Sequence, residues 1–91
     1  MPERVHVVVR GRVQGVGFRY SAQARAVALG LTGWVRNCRD GSVEAEFEGP
    51  RPDLMEMLQW CGQGPPLAQV QEVDAVWSTS DTPYNTFDIN G

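Results

Sequence analysis

Residues 32–48 read TGWVRNCRDGSVEAEFE, and this stretch decides the fold. From position 43 the pattern alternates strictly: Val43, Ala45 and Phe47 are apolar, Glu44, Glu46 and Glu48 are acidic. A period of two is that of a strand with one face buried and one face wet, so the three glutamates read as a solvated stripe. Thr32 to Cys38 reads as the partner strand, and Asp40-Gly41 between them is a two-residue hairpin signal.

Working outward, Gly30 stops the preceding helix and Gly49-Pro50 breaks the following strand. Upstream, a helix is expected from Arg19 or Tyr20 to Leu29, with Ala24, Val27, Ala28 and Leu31 recurring at helical spacing. Before it come a glycine-bearing loop over 11–18 and a strand from Arg4 to Arg10, which includes the single histidine, His6. Downstream, Pro52 and Asp53 suit the first turn of a second helix. Its stripe is Leu54, Met57, Leu58 and Cys61, and it ends over Gly62 to Pro66. Val70 to Trp77 and Thr86 to Ile89 complete the strands, with a turn at Asp81 to Pro83. Trp34, Trp60 and Trp77 read as packing residues.

The element order is therefore βαββαβ plus a short C-terminal strand. Two split βαβ units make an α+β, ferredoxin-like αβ sandwich: an antiparallel sheet with two helices on one face. At 91 residues the chain is expected to be one whole domain, 1–91. The N-terminus lacks a signal-peptide pattern, and no stretch approaches the apolar length of a membrane span. A cytoplasmic monomer with no membrane partner is expected. In that compartment Cys38 and Cys61 read as free thiols, Cys61 as a small core residue.

The formal charge of −3 is unevenly distributed: residues 1–39 carry net +6 and residues 40–91 carry net −9. Every fixed cation is an arginine, the side chain whose planar fork matches phosphate and carboxylate. Arg4, Arg25 and Arg39 read as solvated surface charges. The overall acidity argues against salt-driven binding of nucleic acid.

The loop 11–19 reads GRVQGVGFR. Gly11, Gly15 and Gly17 let the backbone curl and turn successive N–H groups toward one point. It runs into a helix N-terminus, with Arg19 at the junction, which describes a cradle for a phosphoryl group. The alternative is a connection whose glycines merely avoid clashes. The loop is neither a dinucleotide fingerprint nor a P-loop, since residue 20 is Tyr and the chain has no lysine. Asn37, at the end of its strand, reads on spacing alone as a residue capping its own turn. Cys38 lacks the downstream arginine that a cysteine phosphatase loop needs, and a redox sensitivity favoured by Arg36 and Arg39 stays open.

The strings GRVQGVGFRY and GWVRNCRDGSVE, with GPPLAQV at 64–70 and Phe87-Asp88-Ile89, closely resemble the acylphosphatases across almost the whole chain. The tail departs from that family, with Asn90-Gly91 where an aromatic or basic residue often stands. The resemblance implies a ferredoxin-like sandwich that hydrolyses small acyl phosphates without metal or other cofactor. It implies a phosphate-binding loop of Gln14, Gly15, Val16, Gly17, Phe18 and Arg19, with Arg19 catalytic and Asn37 positioning the attacking water. The rival readings are a non-catalytic anion- or RNA-binding module of the same fold, and a domain of a larger maturation enzyme.

Overall fold

The computed structural model describes residues 3–90; Gly91 of the tail lies outside them. The elements are β1 (Glu3–Arg12), α1 (Phe18–Ala28), β2 (Thr32–Asn37), β3 (Val43–Gly49), α2 (Arg51–Cys61), β4 (Gln69–Thr79) and β5 (Phe87–Asn90). This is the expected ferredoxin-like order. The sheet runs β4-β1-β3-β2-β5. The first four strands pair antiparallel, whereas β5 lies parallel to β2, so the sheet is mixed rather than wholly antiparallel. The segment 80–86 returns the chain from the β4 edge to the far side of β2, which fixes that direction.

The buried face is built by the alternation in the strands. Val5, Val7 and Val9 of β1 meet Val43, Ala45 and Phe47 of β3, with Val35 and Phe87 beside them. Phe47 and Phe87 stack at 5.5 Å between ring centroids. The helices cover this face with Ala22, Ala26, Leu54, Met57 and Cys61. The stripe expected on α1 is displaced. Phe18, Ala22 and Ala26 face the sheet, while Ala24, Val27 and Ala28 are exposed. The small alanines let the helix lie close to the strands, and Phe18 sets its phase by packing against Trp60 at 5.2 Å.

β1 continues two residues past the expected end, through a bulge at Arg10/Gly11, to pair with Val70 and Gln69. The β2–β3 connection is also longer than a two-residue turn. Cys38 N–H donates to Ser42 O at 2.9 Å and Gly41 N–H to Cys38 O at 3.2 Å. Asp40 Oδ1 accepts the Ser42 N–H and hydroxyl at 2.9 and 2.6 Å, and these bonds hold its carboxyl below the usual range. Pinning Ser42 in this way makes 38–42 a five-residue turn.

The open face is not the solvated stripe expected of Glu44, Glu46 and Glu48. Glu48 is buried and takes Nε and Nη2 of Arg4 at 3.0 and 2.8 Å. Arg4 therefore is not a free surface charge. Glu46 accepts the Tyr84 hydroxyl, which also accepts Trp34 Nε1–H at 3.1 Å. Trp34 thus belongs to this polar face, whereas Trp60 and Trp77 pack against the core. Glu44 lies between His6 Nε2, at 2.6 Å, and Arg36 Nη2, at 2.5 Å. Burial raises its pKa, but these hydrogen bonds outweigh that and hold the carboxyl below the usual range. These partners offset the desolvation penalty that would otherwise keep the three carboxylates in water.

Candidate active site

β1 and β2 both run antiparallel to β3, so they point the same way and end at the same edge of the sheet. Val9, Val43 and Asn37 stand in one row across the three strands. The loop leaving β1 and the turn leaving β2 therefore emerge side by side, which brings the two sequence-marked segments together.

In the loop, Gly15 and Gly17 have φ of 73° and 79°, a conformation that costs glycine nothing and other residues strain. Two such residues flank Val16, and left-handed residues alternating with ordinary ones are the backbone pattern from which anion-binding nests are built. Gly17 is the N-cap of α1, with no side-chain cap and no acid in the first turn. The first-turn donors and the positive end of the helix therefore have no side-chain acceptor or acid of the first turn on them. By contrast, α2 has Asp53 in its first turn.

Arg19 is half-buried at this junction, and among the described residues it makes no hydrogen bond or ion pair. Its nearest aromatic contact is Tyr20, with the guanidinium 5.9 Å from the ring centroid. Arg4, Arg10, Arg36 and Arg51 are instead engaged by carboxylates. An unpaired guanidinium beside unpaired helix N–H groups is an arrangement that gains from a dianion.

Asn37 closes β2, half-buried, and lines a depression on the open face with His6, Trp34, Arg36, Glu44, Glu46 and Asn90. Its carboxamide has no hydrogen-bond partner among the described residues, so it does not cap its own turn; Asp40 does that work. The Gln14 side chain has its own partners. Its Nε2 donates to the carbonyls of Cys38 and Ser42 at 2.7 and 2.9 Å, so its side chain grips the turn and not a loop ligand. The sequence reading placed Gln14 in the loop but carried no signal for this contact. Cys38 is half-buried with Sγ 3.9 Å from Glu44 Oε1, and Cys61 is buried. No group of three His, Cys, Asp or Glu side chains converges among the described residues.

The family model described as acylphosphatase matches residues 5–89. The chain belongs to the acylphosphatase family. An acylphosphatase of Trichormus variabilis is 66% identical over 70 residues, 77% of this chain and 69% of that protein. One of Pelotomaculum thermopropionicum is 48% identical over 86 residues, 94% of each chain. The crystal structure of acylphosphatase from Bacillus subtilis superposes with a TM-score of 0.95 at 37% identity, covering 98% of this chain and 99% of that one. Membership in the acylphosphatase family makes the chain a hydrolase acting on acyl phosphates.

Proposed function

We propose that Arg19 and the backbone N–H groups of Gln14 to Arg19 hold the phosphoryl group of a small acyl phosphate, and that the Asn37 carboxamide aims a water in line at phosphorus. The observation that carries this reading is the uncapped, acid-free N-terminus of α1 with an unpaired Arg19 behind two left-handed glycines.

The chemistry asks little else of the protein. The leaving group is a carboxylate, a weak base that departs without a general acid. Catalysis then rests on alignment and on stabilising charge that spreads over the three non-bridging oxygens. Donors fixed by backbone geometry need no reorganisation as that charge develops. Asn37 is a neutral amide and a poor base, so it orients the water while the proton passes to the bound phosphate.

The open sheet face supports this reading over the RNA-binding one. Its Trp34 is hydrogen-bonded to Tyr84 and flanked by Glu44 and Glu46, which repel a phosphate backbone. A single-domain monomer working in the cytoplasm without metal, nucleic acid or membrane belongs to the same proposal. No helix among the described residues is long and apolar enough to cross a membrane.

The test is hydrolysis of benzoyl phosphate with EDTA present, in water enriched in heavy oxygen. Label appearing in phosphate is the expected result. Label in benzoate, which places attack at the acyl carbon, overturns the mechanism.

A further inference from the structure

The two halves of the site are carried by strands that do not touch. β1 and β2 are separated by β3, which places their ends roughly 10 Å apart at about 4.8 Å per strand. Sheet pairing fixes the row Val9, Val43, Asn37 and holds β1 as far as Arg12, whereas the loop 13–17 lies outside the sheet and turns at two left-handed glycines. Among the described residues, the only hydrogen bonds between that loop and the turn 38–42 are the two made by Gln14.

Their geometry is specific. An amide nitrogen has two hydrogens, and both are used, at ordinary hydrogen-bond lengths. The two acceptors lie at opposite ends of the turn. Cys38 follows Asn37, and Ser42 precedes Val43, the residue that faces Asn37 across the hairpin. Gln14 thus grips both ends of the turn just beyond the Asn37–Val43 pair. The turn it grips is itself internally bonded, Asp40 holding Ser42 by two hydrogen bonds. On the loop side, Val13 is buried at 1% exposure and anchors the residue before Gln14.

We propose that Gln14 is a positioning residue: its carboxamide locks the phosphoryl-holding loop onto the turn that carries Asn37, and so sets the line from water to phosphorus. This rests on the roles proposed above for Arg19 and Asn37. The loop alone binds phosphate, since its glycines and helix end are local to it. Turnover needs both segments aligned, and a displacement of about 1 Å can lower a rate by about a hundredfold. Losing the clamp therefore separates turnover from binding.

The experiment is a mutant cycle on the full chain with Gln14→Met, which keeps length and bulk but donates nothing, and Asn37→Ala. Folding is checked by circular dichroism. Gln14→Met is expected to lower kcat on benzoyl phosphate by about tenfold to a hundredfold, while the inhibition constant of inorganic phosphate stays within about twofold. In the Asn37→Ala background the same change is expected to lower kcat by less than about twofold, because there is no aligned water left to misplace. Full kcat in Gln14→Met, phosphate binding lost in step with kcat, or equal losses in both backgrounds overturns the proposal. If Gln14→Met does not fold, Gln14→Asn, too short to reach both carbonyls, replaces it. Scalar couplings across the hydrogen bonds from Gln14 Nε2 to the Cys38 and Ser42 carbonyl carbons are expected in the native enzyme, and their absence overturns the clamp directly. Wild-type kcat in Asn37→Ala instead removes the water-positioning role, and is recognised without reference to Gln14.

Discussion

Arg4 places Nε and Nη2 at 3.0 and 2.8 Å from one carboxylate oxygen of Glu48, which has only 2% of its side chain exposed. The other oxygen accepts the backbone N–H of Tyr84 at 3.0 Å, and Arg4 also reaches Thr82 O and lies over the Tyr84 ring. One ion pair thus ties the start of β1 to β3 and to the chain returning toward β5. Removing one partner of such a pair strands a buried charge. Arg4→Met is expected to lower unfolding free energy by about 3 kcal/mol in urea titrations. Adding Glu48→Gln, which keeps an acceptor for Tyr84 N–H but removes the charge, is expected to restore more than half of that loss.

Gly33 and Gly15 separate two uses of positive φ. Gly33 has φ of 141°, and a Cβ there would sit 1.9 Å from the carbonyl oxygen of Glu46, inside the β2–β3 pair. Gly33→Ala must push two paired strands apart, with an expected loss of about 3 kcal/mol or more. Around Gly15 a Cβ meets nothing within 4 Å. Gly15→Ala is therefore expected to lose only the left-handed strain, about 1 kcal/mol. Thermal unfolding of the two variants distinguishes them.

Glu44 predicts a pH dependence of stability. Its carboxyl is held below the ordinary value of 4.5 by His6 and Arg36, against the opposing effect of burial. The unfolded chain then takes up this proton first as pH falls. The stabilisation is present in full above 4.5 and is lost as pH drops through the folded value. Urea unfolding in a series of acid buffers is expected to show a steeper decline for the wild type than for Glu44→Gln, which is less stable at neutral pH.

Burial pushes the Cys61 thiol up to about 12, and the side chain is 1% exposed. Cys38 is half-buried at the turn. Native protein treated with a disulfide thiol reagent is expected to label one thiol per chain, Cys38, with Cys61 reacting only after unfolding.

The alternation in β1 and β3 made the strands legible from residue types alone, since Val5, Val7, Val9 and Val43, Ala45, Phe47 leave one phase open. In α1 the same approach chose the wrong face. Ala22, Ala24, Ala26 and Ala28 look alike in sequence, and only packing against the sheet tells them apart. The glutamate stripe misled for a related reason. Its partners come from β1, from β2 and from Tyr84, contacts with no local signature. The direction of β5 depends on where the segment 80–86 carries the chain. At the site, the spacing of the glycines and Arg19 pointed to the proposed anion cradle. Asn37, as a residue type before a turn, pointed to a cap, and the water-positioning role proposed for it came only from the resemblance to a family. Gln14 was visible only as a loop member, because its acceptors are backbone carbonyls, which carry no residue identity.

The central claim is that Arg19 binds the phosphoryl group and Asn37 brings the water. Its most direct test is kcat on benzoyl phosphate together with calorimetric binding of inorganic phosphate, for the wild type, Arg19→Ala and Asn37→Ala. Asn37→Ala is predicted to keep phosphate affinity within about twofold and to lose kcat by about a hundredfold, while Arg19→Ala loses both. Wild-type turnover in Asn37→Ala, or wild-type phosphate affinity in Arg19→Ala, contradicts the account.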